Sequence, residues 1–121
     1  MAENTTYTLT RYDSEISPDF VAGEVVFDAT AIVATNYVEI DVGFKPKFVR
    51  WINLTDRIEG EHHIGMADDS CLKRVAAGTG TLEVTGGNGG ITLTERGFRV
   101  LQNATLALVL ASKTCRYVAY R

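Results

Sequence analysis

A chain of 121 residues, 45% hydrophobic and 22% charged, has room for one two-layer core and the composition of an ordinary globular domain, which excludes wholesale disorder. A formal charge of −3 speaks against nucleic acid as a partner, since that affinity rests on clustered Lys and Arg. Two prolines and eleven glycines favour strands and turns over helices.

Thr6 to Tyr12 alternates weakly and reads either as an edge strand or as an arm. Residues 1–18 are accordingly set apart as an N-terminal arm or edge strand, ahead of a single β domain over 19–121. Pro18 sits in a polar turn, and Phe20 to Asp28 follows as a strand marked by Val21, Val25 and Phe27. Ala29 to Thr35 is either a short helical turn or a loop. Tyr37 to Val42 has the cleanest alternation in the chain, with Val38, Ile40 and Val42 inward and Tyr37, Glu39 and Asp41 outward. Gly43 to Lys47 is a turn in which Pro46 fixes φ and pushes Lys45 extended. Phe48 to Leu54 is apolar on both faces, with Phe48, Ile52 and Leu54 on one and Val49 and Trp51 on the other, which predicts a central strand covered on both sides.

Thr55-Asp56-Arg57 makes the next turn, and Glu61 to Met66 returns as a strand. Asp68-Asp69-Ser70 is either a loop or the N-cap of a short helix through Val75. Thr81 to Thr85 is a strand, Gly86 to Gly90 a hairpin-like connection, and Ile91 to Thr94 and Phe98 to Leu101 are short strands. Ala104 to Ala111 is either a buried strand or one or two helical turns. Thr114 to Tyr120 alternates again, with Cys115, Tyr117 and Ala119 on one side and Arg116, Val118 and Tyr120 on the other. The sum is an all-β fold: a compact antiparallel β-sandwich or barrel-like domain of about eight short strands, with at most one or two short helices.

Cys71 and Cys115 are too few for a disulfide framework, and both lie beside apolar residues. Residues 1–6 show no basic segment and no apolar segment of a secretory signal, so Asn4, Asn53 and Asn103 in N-x-[ST] triplets read as chance matches. The longest apolar run, Ala104 to Ala111, is too short to span a bilayer, so no membrane partner is expected. The expected product is soluble and made in a reducing cytoplasm.

Candidate chemistry is sparse. His62-His63 with Asp68 and Asp69 is the one constellation that suggests metal, but neighbours on a strand point to opposite faces. They read as ordinary surface or interface histidines. Ser14, Ser17, Ser70 and Ser112 lie in no G-x-S-x-G elbow, and neither cysteine carries the signature of an activated nucleophile. The carboxylate pairs Asp56 with Glu59 and Glu59 with Glu61 have the residue types of glycosidic chemistry, but acids in turns are usually only solvated. Gly86 to Gly90 lacks the Lys-Ser/Thr of a P-loop. The nearest thing to a basic cluster is Lys45, Lys47 and Arg50, outnumbered by acids elsewhere. Trp51, Phe98, Tyr117 and Tyr120 have the rings of a sugar platform, yet aromatics at strand period are more often core, the reading favoured for Trp51 and Tyr117. No catalytic, cofactor-binding or metal-binding residue is assigned, and no cofactor is expected.

Gly43-Phe44-Lys45-Pro46-Lys47-Phe48-Val49-Arg50-Trp51-Ile52-Asn53-Leu54-Thr55-Asp56-Arg57 resembles a G-F-x-P-x-x-V-x-x-x-N-x-T-D block of small structural proteins of tailed bacteriophages. Ile64-Gly65-Met66-Ala67-Asp68, Gly89-Gly90-Ile91-Thr92 with Arg96-Gly97-Phe98, and the closing Tyr117-Val118-Ala119-Tyr120-Arg121 resemble their later blocks. The resemblance runs over roughly residues 43 to 121 and covers turns and strand ends, not catalytic residues. It implies a non-enzymatic virion component, most of all a head decoration or cement protein on the outer surface of the major capsid protein shell. It also implies homo-oligomers, with trimers favoured, and an N-terminal segment that grips the shell. The competing class is a tail- or fibre-associated or carbohydrate-binding β-sandwich module.

Overall fold

A computed structural model describes residues 7–11, 20–32, 36–75, 78, 80–83, 90–102 and 107–121. These residues form ten strands and no helix: β1 (Tyr7–Arg11), β2 (Phe20–Phe27), β3 (Tyr37–Asp41), β4 (Phe48–Asn53), β5 (Ile58–His63), β6 (Cys71–Arg74), β7 (Gly80–Glu83), β8 (Ile91–Leu93), β9 (Gly97–Leu101) and β10 (Thr114–Tyr120). All pairings are antiparallel. A seven-stranded sheet runs β1-β2-β10-β4-β5-β6-β7 and a three-stranded sheet runs β3-β9-β8. The sheets stack as an open sandwich and do not close into a barrel.

The alternation that writes each strand also places its core. From β2, β10 and β4 the large sheet turns Val21, Val25, Phe27, Cys115, Tyr117, Ala119, Val49 and Trp51 inward, all at most 3% exposed. The small sheet answers with Val38, Ile40, Ile91, Phe98 and Val100. Trp51 sits at the middle. Its ring lies 6.1 Å from Phe98 edge-on, 6.4 Å from Tyr117 in a stack and 6.4 Å from Phe27. Its indole N–H donates to the Leu108 carbonyl at 2.8 Å, so burying the ring strands no donor. Losing such a packed indole costs about 3–5 kcal/mol in typical cores.

Among the described residues the sheets join at one seam. Ser70 bridges to Ile91, whose N–H donates to the Ser70 carbonyl at 3.2 Å. His62 Nδ1 lies 2.8 Å from the same oxygen. Asp69, with φ of 55°, accepts from the Tyr37 hydroxyl at 3.1 Å and from Thr92 Oγ1 at 2.8 Å, which ties the loop before β6 to the small sheet.

Several expectations change. Asp68-Asp69-Ser70 leads into β6, not a helix, because Cys71 to Arg74 pairs with β5 and β7. The return strand after Arg57 spans Ile58–His63, and residues 64–65 form a turn. Of the Ala104 to Ala111 run, residues 104–106 lie outside the described residues, while 107–111 carry neither strand nor helix, and Leu108 and Val109 plug the core from there. Residues 29–32 are irregular, in line with the loop alternative, and residues 33–35 lie outside the described residues. β4 is the fourth strand of seven, so its central position holds, but only its Val49–Trp51–Asn53 face is fully covered. Its other face carries Arg50 between Phe48 and Ile52 and ends at Leu54, 42% exposed.

Candidate functional site

Every second residue of β2, β10, β4, β5 and β6 points away from the small sheet, and no described element covers that side. Direct cross-strand partners there form rows. At one end Phe20 faces Tyr120, Tyr120 faces Phe48, and Phe48 faces His63 across four adjacent strands. Their ring centroids stand 5.3, 5.7 and 4.7 Å apart, tilted by 48°, 38° and 50°. In the middle row Ala22, Val118, Arg50, Glu61 and Leu72 follow one another, and in the next Glu24, Arg116, Ile52, Glu59 and Arg74.

Arg50 anchors the charged part. Its Nε lies 3.0 Å from Glu59 and its NH2 2.9 Å from Glu61, while Arg74 NH1 lies 3.5 Å from Glu59 and 3.7 Å from Glu61. Partial burial and the hydrogen bond to Glu61 hold the Glu59 carboxyl above its ordinary value. Burial acts upward on Glu61 too, but its hydrogen bonds with Glu59 and Arg50 bring it below the usual range. Acidification therefore protonates Glu59 first. The two carboxyls are the anionic half of an ion-pair network with two guanidinium groups.

Beyond that network, at the Leu54–Arg57 end, lies a groove of about 270 Å³ lined by Ile52, Leu54, Arg57, Glu59, Arg74 and Val75. The four exposed large hydrophobic residues among those described are Val26, Leu54, Ile64 and Tyr120. Three of them belong to this open face, and Ile64 adjoins His63 at the aromatic end.

The residues flagged in the sequence do not converge. His62 and His63 do point apart, but His62 is 2% exposed, so it is a core residue and not a surface one. It was masked by its neighbours: only pairing with Val49 shows that it faces inward. Among the described residues no group of three or more His, Cys, Asp or Glu could hold a metal ion. Ser14, Ser17 and Gly86 to Gly89 lie outside the described residues. Ser70 is buried with its hydroxyl donated to the Ala67 carbonyl, and Ser112 is an exposed turn residue whose amide donates to Asp28. Cys71 and Cys115 are buried thiols, and burial pushes Cys115 up to about 12. Asp56 braces the β4–β5 turn through Asn53 and pairs with Lys113 at 3.2 Å, away from Glu59. Lys45 pairs with Glu95 at 3.7 Å and Arg50 with the glutamates, so two members of the basic cluster are already matched by acids. Trp51, Phe98 and Tyr117 are core, and only Tyr120 of the four aromatics is exposed. Sequence reasoning missed Phe20, Phe48 and His63 as its companions.

No family model matches the chain, and no curated protein or solved structure matches it.

Proposed function

We propose that this protein is a non-enzymatic bacteriophage virion protein, a capsid decoration or cement protein that binds the outer surface of the major capsid shell. The resemblance over residues 43 to 121 supplies the class. The observation that carries the reading is the open face of the seven-stranded sheet, where exposed apolar residues, an aromatic row and an ion-pair network occupy one broad surface. A large surface of mixed chemistry suits a protein partner, whose interfaces combine aromatic anchors with polar pairs. A ligand that binds assembled shell better than free subunits stabilises the shell by mass action.

The carbohydrate-binding reading would use the same aromatic row. Rings tilted by 38–50° from one another offer no continuous plane for a sugar chain, which favours the protein partner. Covering the outermost strands β1 and β7 by self-association accords with a homo-oligomer, the trimer being the favoured form.

Purified protein mixed with expanded heads that lack it should co-sediment at saturable stoichiometry and raise the temperature at which the heads release DNA. Heads that take up none, with a glycan array giving a specific signal, would move the protein to the sugar-binding class.

A further inference from the structure

We infer that the groove at the Leu54–Arg57 end of the open face receives a peptide segment of a partner protein in which a large apolar side chain is followed by a carboxylate. This goes beyond the virion reading and does not rest on it. At about 270 Å³ the groove falls just below the range of sites that enclose a whole small ligand, and suits one side chain of a larger partner. Its floor is apolar, made by Ile52, Leu54 and Val75.

Its rim is cationic in excess. Of the residues that line it, Arg57 and Arg74 are positive and Glu59 is negative, two charges against one, which leaves +1. Arg57 makes no ion pair among the described residues. Arg74 commits only NH1 to the glutamates, at 3.5 and 3.7 Å, and Glu59 is already held by Arg50 at 3.0 Å. The spare charge thus resides on Arg57 and the part of Arg74 beyond NH1, both lining the groove with Ile52, Leu54 and Val75.

The turn that carries Arg57 is braced. Arg57 has φ of 58°, a conformation that costs a non-glycine residue energy and persists only when its surroundings hold it. Buried Asn53 supplies the hold: its side chain accepts from the Asp56 amide at 3.1 Å, donates to the Asp56 carboxylate at 3.0 Å and donates to the Ala107 carbonyl at 3.0 Å. On the other side the Leu54 amide donates to Thr114 at 2.9 Å and Thr55 Oγ1 accepts from the Thr114 amide at 3.0 Å. The cation is therefore presented from a fixed turn. A bare phosphate or sugar would leave the apolar floor unused, and a purely apolar ligand would leave the arginine unused.

The test is a ¹⁵N–¹H titration of the full chain with three blocked tetrapeptides, N-acetyl-Gly-Phe-Glu-Gly-amide and its Gln and Lys counterparts. The Glu peptide should shift the amides of Leu54, Arg57, Arg74 and Val75 saturably and bind about threefold to fivefold tighter than the Gln peptide, the Lys peptide being weakest. Arg57→Gln, at an exposed position, should bring the Glu peptide down to the Gln level with the rest of the spectrum unchanged. Equal binding of all three peptides, shifts confined to the Tyr120 end, no saturable shift, or full binding by Arg57→Gln would each overturn the assignment. So would concentration-dependent shifts of the same amides without peptide, which would make a second copy the occupant.

Discussion

His62 carries its imidazole between the sheets, where Nδ1 meets the Ser70 carbonyl that also accepts the Ile91 amide. A carbonyl only accepts, so Nδ1 bears the hydrogen and the neutral ring suffices for the bond. Burial lowers the His62 pKa from its usual 6.5, and nearby His63 adds to this, while Ser70, Asp68 and Asp69 act the other way. The unfolded chain therefore binds this proton more readily than the folded one. The resulting stability is complete above pH 6.5 and is lost as the pH falls from there toward the folded value. Thermal unfolding should shift to lower temperature between pH 7.5 and pH 5.5, and His62→Gln should show a smaller shift over that window. An equal shift in the variant would place the acid sensitivity elsewhere. At the same scale, Cys115 stays a thiol at any ordinary pH because burial holds it near 12. Alkylation of the native protein at pH 8 should leave it unmodified, with complete labelling only after denaturation.

β3 and β10 were plain in the sequence because one side of each is buried and the other wet, which prints the period directly. β5 was not. Its inward residues are Ile58, Gly60 and His62, and neither glycine nor histidine announces a core face. Gly60 is there for space, since a Cβ would stand 2.9 Å from Leu108 Cδ1. β6 resembled the first turn of a helix because Asp69 and Ser70 are good caps, and only cross-strand pairing overrides that local preference. The open face was illegible for the same reason. Phe20, Tyr120, Phe48 and His63 lie far apart in sequence and become a row only through register. Gly97 gives a sharp test of the small sheet. A Cβ there would fall 1.9 Å from the Ile40 carbonyl oxygen, on backbone that cannot yield without breaking the β3–β9 ladder. Gly97→Ala should cost on the order of 3 kcal/mol in chemical denaturation, whereas Gly60→Ala meets only a flexible leucine end and should cost less. A reversed order would refute this account of the two positions.

For the whole molecule, the division of labour runs across the large sheet. Its inner face and the small sheet hold the core, so changes at Trp51 or Phe98 act on stability. Its outer face adds little to that core: Tyr120 is 46% exposed and Val118 only half-buried. Phe48→Ala should therefore lower stability by about 1 kcal/mol, well under the cost of Trp51→Ala, while affecting partner binding more. The most direct measurement is co-sedimentation with decoration-free expanded heads of the wild-type protein and of a Val118→Glu/Tyr120→Ser variant, whose new carboxylate faces Arg50. If the open face is the contact surface, the variant keeps its unfolding temperature within a few degrees and stays in the supernatant while the wild type pellets with the heads. A folded variant that pellets at wild-type occupancy would contradict it.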